Sequence, residues 1–226
     1  MTRIPTDLEQ YRHALNQLRL PEFNRDKSAP QRVVALEGPN GVGKTTLCRS
    51  LADDLSASWS LGTDDAWFSK PFKTRMIRDA HWYASAMFFL SGCFEQSRLQ
   101  RLNPAPLLIM DRSLWSTFAV HAAEDIGRLE KLLSMIRPIA AAIDVPDLTV
   151  VLEASFGTCQ ERIAHKEGEA RALDLLTANE AFFAREQEFY RWLGRQMSSV
   201  VFLDADRTAP EEVTRQAIAA LHAHRC

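Results

Sequence analysis

The sequence predicts a three-layer α/β sandwich around a five-stranded parallel sheet, and three observations predict it. Five short apolar runs occur at Arg32–Glu37, Ser58–Leu61, Leu107–Met110, Leu148–Leu152 and Val200–Leu203. Segments of helical periodicity separate them, and connections of that length are crossovers, so the strands run parallel with helices on both faces. The first run leads directly into Gly38-Pro-Asn-Gly-Val-Gly-Lys-Thr45, the pattern G-x-x-x-x-G-K-T, between a strand and a helix. Its Gly38, Gly41 and Gly43 let the backbone turn N–H groups inward around a polyphosphate at the positive end of the following helix.

Taken in order, the chain opens with helical spacing from Asp7 to Leu20 (Leu8, Tyr11, Leu15, Leu18). The polar, proline-bracketed run Pro21–Pro30 follows. Residues 1–30 therefore read as an N-terminal helical extension and linker that clads the main domain, residues 31–226. After the phosphate loop, Thr46, Leu47 and Leu51 continue a helix whose apolar side packs on the sheet. The second strand, Ser58–Leu61, ends in Gly62–Phe68, and a loop at the carboxyl end of a strand is where open parallel sheets bind ligands. From Pro71 to Arg101 the pattern is helical with a break near His81, and the run Trp82, Tyr83, Met87–Leu90 predicts a long, largely buried helix. The third strand ends on Asp111-Arg-Ser113. Periodicity resumes from Ile126 to Ile143 and stops near Pro146 before the fourth strand. Phe156–Lys166 is helical, Glu167–Arg171 is polar, and Leu173–Met197 is a long helix. A helix from Pro210 to Leu221, opened by Glu211 and Glu212, follows the last strand.

Length and composition narrow the class. A chain of 226 residues with 46% hydrophobic content buries a substantial core. Its net charge of −2 and pI near 6.3 lack the basic footprint of a nucleic-acid-binding surface and point to a small ligand. Cys48, Cys93, Cys159 and Cys226 are scattered without a C-x-x-C pair, the pattern of reduced cytoplasmic thiols rather than a zinc site or disulfide framework. No apolar leader or membrane-length run is present, so a soluble, cytoplasmic protein is expected. The residues leave a homodimer open.

The chemistry expected of the phosphate loop assigns donor phosphates to Gly38, Asn40, Gly41, Val42, Gly43, Lys44, Thr45 and Thr46. Lys44 reaches the terminal phosphates, and the Thr45 hydroxyl is placed to ligate Mg2+. Asp111, at the end of a strand expected beside the loop, would complete the metal shell, while Arg112 clamps phosphate by a planar two-point contact. The catalytic candidates are thus Lys44, Asp111 and Arg112. Arg162, His165, Lys166 and Arg171 form either a lid that neutralises phosphoryl charge or an ordinary solvated helix end. Asp64 and Asp65 are general-base or ribose-binding candidates, with turn residues as the alternative. Isolated His81 and His121 fit packing or surface roles. Among Trp67, Phe68, Phe72, Trp82, Phe88 and Phe89, core packing accounts for most, with a base-stacking wall as the functional alternative.

These residues resemble the thymidylate kinase-like nucleotide kinases. The matching segments are Val34–Thr46, Ile109–Ser113, Pro146–Glu153, Gln160–Ile163, and Leu203–Asp206 with Glu211–Val213, which cover roughly residues 31–222. The resemblance implies an ATP- and Mg2+-dependent phosphotransferase. Asp111 and Arg112 would orient metal and acceptor phosphate, Arg162 and the lid would embrace ATP, and the 204–208 loop, with Asp206, would border adenine. Three departures concern the acceptor: Asn40 stands where that family has an acid, Thr63–Trp67 replaces R-E-P, and its helical D-R pair falls on Gly92 and Cys93. Asp111–Ser116 and Phe189–Leu193 instead resemble the E-R-S and Y-x-x-W-L motifs of the related deoxynucleoside kinases. The expectation is a nucleoside monophosphate kinase, with a deoxynucleoside or other small-metabolite kinase as the alternative. An NTP-hydrolysing switch or assembly factor is the alternative of another class.

Overall fold

Five strands of 4–6 residues form one sheet in the order β2-β3-β1-β4-β5, with every pairing parallel. The computed structural model describes residues 8–23, 32–61, 70–102, 105–166 and 179–224. Its strands are Arg32–Glu37 (β1), Ser58–Leu61 (β2), Leu107–Asp111 (β3), Leu148–Glu153 (β4) and Val200–Asp204 (β5). The helices are Leu8–Gln17 (α1), Lys44–Leu55 (α2), Lys70–Arg78 (α3), Trp82–Leu102 (α4), Leu114–Glu124 (α5) and Ile126–Ile136 (α6). A 3-10 turn, Arg137–Ala142, precedes Phe156–Ala164 (α7), Glu180–Gln196 (α8) and Pro210–Ala223 (α9).

The central strands are apolar over most of their length because both faces are covered, with charged residues confined to their ends. On one side Val34, Leu36, Ile109, Leu148, Val150 and Leu152 pack with Leu47 and Leu51 of α2, Cys159 of α7, and Val213 and Ala217 of α9. On the other, Val151 joins a larger core built from Trp115, Phe118, Leu129, Leu132, Phe189 and Trp192. The edge strand β5 differs from the expected buried run. Val200 is buried but Phe202 is 36% exposed, because an edge position has one neighbouring strand and a thinner cover.

The expected break near His81 falls between the end of α3 at Arg78 and the start of α4 at Trp82. Helix α5 was not expected from periodicity. Nine of its eleven residues are buried, including Leu114, Trp115, Phe118, Ala119 and Ala123, so no polar face exists to generate a 3.6-residue alternation. Its start is nevertheless written in the sequence, since the Ser113 side chain caps it by accepting from Trp115 N. Of the long helix expected over 173–197, the described part begins after Asn179, whose side chain accepts from Ala181 N and Phe182 N.

Helix α1 packs on α8 and α6 and contributes to the larger core. Tyr11 and Leu15 have no exposed surface, and burial of Leu15 alone stabilises the docked helix by about 1.5–3 kcal/mol. The Arg12 guanidinium reinforces it by donating to both oxygens of Glu188 on α8, at 2.9 and 2.8 Å.

His121, on α5 beside Trp82, is 5% exposed, and its Nδ1 has no hydrogen-bond partner among the described residues. Burial, reinforced by the Arg128 charge, pushes its pKa down to about 4. The unfolded chain therefore takes up a proton below about 6.5 that the folded protein refuses until about 4. Stability should fall through that window, by up to about 3 kcal/mol, and level off below it. Urea unfolding midpoints from pH 7 to 4 should show this slope, and His121→Leu should flatten it. An unchanged slope in the variant would refute the assignment.

Candidate functional site

The parallel register of β1 and β3 sets Leu36 opposite Asp111, so the loop leaving β1 and the corner leaving β3 emerge side by side. The loop is built as its glycines require. Gly38 has φ +125°, and a Cβ there would lie 2.5 Å from the Leu152 carbonyl oxygen of β4. Gly41 has φ +82°, and its missing side chain leaves room for the Cys159 carbonyl of α7. Gly43 is the N-cap of α2 at φ +111° and brings no side chain to cap the first-turn N–H groups. Those amides and the helix dipole make the anion-attracting end predicted from sequence.

Lys44, the first residue of α2, is buried and folds back over the loop. Its Nζ donates to the carbonyls of Gly38 at 2.8 Å and Pro39 at 2.7 Å. Burial, with the nearby Arg112 charge, pulls its pKa down to about 8, against the attraction of Asp111, Glu186 and Glu37. Thr45 follows with its hydroxyl donating to Asp111 Oδ2. Thr46 is exposed one residue further along. A hydroxyl and a carboxylate in direct contact are hard oxygen donors of the type that suits Mg2+.

Arg112 turns the corner at φ +77°, a conformation that costs a non-glycine residue about 1–3 kcal/mol. Its backbone N–H donates to Leu36 O at 3.0 Å. Its guanidinium donates through Nη1 to Ser116 Oγ at 3.1 Å and through Nη2 to Asn40 Oδ1, spanning the gap between corner and loop. Burial works against its charge, but Tyr190, Asp111, Glu186 and Glu37 together outweigh that cost and raise its pKa.

Beneath the corner lie Glu37 and Glu186, neither singled out from sequence, beside Ser113, Ser116 and Tyr190 of the two segments that resemble deoxynucleoside kinase motifs. Glu37, the last residue of β1, has no exposed surface. Its Oε1 accepts from Ser113 N at 2.7 Å and Ser113 Oγ at 2.6 Å, while Oε2 accepts from Ser116 Oγ and from Tyr190 OH at 3.0 Å. Burial pushes the Glu37 pKa up, opposed by the bonds from Ser113 and Ser116 and by the Arg112 charge. Glu186, one turn before Tyr190 on α8, is also buried, and burial raises its pKa against the pull of Arg112 and Lys44. An acid ending an otherwise apolar strand, and a Glu and Tyr four apart on one helical face, were the available signals.

The remaining expected residues surround this centre at different depths. Arg162 on α7 donates to Val42 O at 3.1 Å and Ala205 O at 2.8 Å, bridging the loop to the segment after β5. In that segment Asp206 accepts from Ser155 Oγ at 3.2 Å, and hydrogen bonding from the Thr158 hydroxyl holds its pKa low. His165 and Lys166 are exposed beyond the end of α7. Phe89 on α4 is half-buried and meets Phe88 edge-on, with ring centroids 5.0 Å apart. One turn later, Cys93 Sγ donates to Phe89 O at 3.3 Å, and burial together with the Glu37 charge pushes its thiol up to about 12. Asp64, Asp65, Trp67, Phe68 and Arg171 lie outside the described residues.

A family model described as deoxynucleoside kinase matches residues 34–224. No curated protein matches the sequence. Among solved structures, the chain is similar to deoxyadenosine kinase from M. mycoides with the products dCMP and a flexible dCDP bound. That comparison has a TM-score of 0.66 and 13% identity, covering 84% of this chain and 99% of that one. The same M. mycoides enzyme with dATP gives a TM-score of 0.64 at 13% identity, covering 85% and 100% of the two chains. Thymidylate kinase from Candida albicans gives 0.64 at 17% identity, covering 86% and 92%. These structural likenesses establish the P-loop kinase fold that the sheet order and phosphate loop already describe. The match across residues 34–224 goes further: the chain belongs to the deoxynucleoside kinase family and is an ATP-dependent kinase of small nucleosides or nucleotides.

Proposed function

We propose that the protein transfers the γ-phosphoryl group of ATP to a hydroxyl of a deoxynucleoside. The observation that carries this choice over a monophosphate acceptor is the charge beside Arg112. Asp111, Glu37 and Glu186 all attract its guanidinium from within the protein. Of the neighbouring cations, Lys44 belongs to the donor loop and Arg162 is bound to two backbone carbonyls. Each carboxylate about 5 Å from an incoming phosphate charge would cost roughly 3 kcal/mol at an effective dielectric of 20. A neutral hydroxyl brings no such charge.

In this reading the loop amides and Lys44 hold the donor phosphates, with Lys44 exchanging the Gly38 and Pro39 carbonyls for phosphate oxygens. Thr45 and Asp111 would hold Mg2+, which neutralises phosphate charge when bound. Arg162 and Asp206 border the donor nucleotide, and Phe89 lines the acceptor side. The Arg112 fork aligns the transferred group in line with the acceptor oxygen, so positioning and electrostatics supply the catalysis. The new bond joins that oxygen to the γ-phosphorus, the bond from γ-phosphorus to the bridging oxygen breaks, and ADP leaves. Asp64 or Asp65 takes the hydroxyl proton. A cytoplasmic location belongs to the same proposal.

A panel of deoxynucleosides and their monophosphates, assayed by ADP release, should give turnover with the unphosphorylated acceptors. Turnover confined to monophosphates would favour the thymidylate kinase-like reading, and hydrolysis indifferent to any acceptor would favour a switch. Lys44→Ala should lower kcat by about a thousandfold or more while leaving the circular dichroism spectrum unchanged. A folded variant with normal turnover would refute the role of Lys44.

With its pKa at about 8, Lys44 is half-deprotonated in the free protein at pH 8. Phosphate contact restores its charge, so ATP binding should take up about half a proton at that pH. Calorimetry in buffers of different ionisation enthalpy should detect that uptake, and Lys44→Met should lose it. Equal uptake in both proteins would exclude Lys44 as its source.

A further inference from the structure

We propose that Glu37 is a positioning residue for phosphoryl transfer, acting through Ser116 on the Arg112 guanidinium; the proposal rests on the reading of Arg112 given above. Glu37 has no exposed surface, so it does not touch a substrate. Four donors converge on its two carboxyl oxygens: Ser113 N, Ser113 Oγ, Ser116 Oγ and Tyr190 OH.

The Ser116 hydroxyl gives this cluster a direction. It has one proton, which Glu37 Oε2 takes, leaving its lone pairs for Arg112 Nη1 at 3.1 Å. The second arm of the guanidinium is held by Asn40 Oδ1. Glu37 and Asn40 are three residues apart on the segment that forms the phosphate loop. They therefore fix the Arg112 fork from two sides, one directly and one through Ser116. These bonds tie the aligning arginine to the donor loop. An amide at position 37 would offer a donor where Ser116 now finds its acceptor, and the hydroxyl would lose its fixed orientation towards Arg112.

A buried acid that merely joins α5 and α8 to the sheet would act on stability without reference to Arg112, and a kinetic cycle separates the two roles. Glu37→Gln and Ser116→Ala are each expected to lower kcat by about tenfold or more, with KM for ATP within about threefold of wild type. In an Arg112→Lys background, which lacks the planar fork, either change should lower kcat further by less than about twofold. Ser116→Ala leaves three of the four Glu37 bonds in place and carries the test if Glu37→Gln does not fold. Losses that multiply fully with Arg112→Lys, or a Ser116→Ala kcat within about twofold of wild type, would overturn the proposal. The rates are measured with whichever acceptor the wild type turns over. A monophosphate acceptor would thus refute the acceptor assignment while leaving the cycle readable.

Discussion

The parallel pairing of β1 with β3 is the constraint on which the site depends. With Leu36 opposite Asp111, the two strands end level, and the chain leaves them as two neighbouring turns. One is the glycine loop that feeds α2 and the other is the Arg112 corner that feeds α5. Neither turn is a relaxed connection. The loop needs three positive-φ glycines and Arg112 holds φ +77°, conformations that persist because surrounding bonds over-determine them. Those bonds come from both strands: Arg112 N to Leu36 O, the guanidinium to Asn40, and Ser113 to Glu37.

Beneath this pair of turns the protein keeps charged groups where a sheet ordinarily keeps aliphatic ones. Glu37, Lys44, Asp111 and Glu186 are all buried, and isolated burial would make each costly. Their mutual attraction and hydrogen bonds offset only part of that cost, so burial still raises the pKa of Glu37 and of Glu186 and lowers that of Lys44. Strongly shifted groups around a phosphate loop are characteristic of a site organised for chemistry. In the proposed function, the same carboxylates would favour an uncharged hydroxyl over a dianionic phosphate as acceptor.

Much of the scaffold was legible in the sequence, because it rests on local signals. The strands at 32–37 and 58–61, the break between α3 and α4, and the glycine spacing each follow from periodicity or backbone freedom. Helix α5 was not legible, since burial on all sides erased its period. Thr45 and Asp111 could be paired because the phosphate loop that leads into α2 was expected beside the end of the third strand. Glu37 could not be ranked, because its meaning lies in Ser113, Ser116 and Tyr190, residues 76, 79 and 153 positions away. Asn40, marked in sequence by what it lacks relative to thymidylate kinase-like proteins, is in the structure the acceptor for Arg112. Arg162, read as a lid residue, bridges backbone carbonyls of the loop and the segment after β5.

Transfer of the γ-phosphoryl group to a hydroxyl, as proposed, yields a phosphomonoester and ADP. Phosphorus-31 NMR of the protein with ATP, Mg2+ and a deoxynucleoside should show, besides ADP, a phosphomonoester resonance without phosphorus–phosphorus coupling. If no such resonance forms with any deoxynucleoside, and a monophosphate instead yields a coupled diphosphate pair, the acceptor site is built for a phosphate and the assignment is wrong.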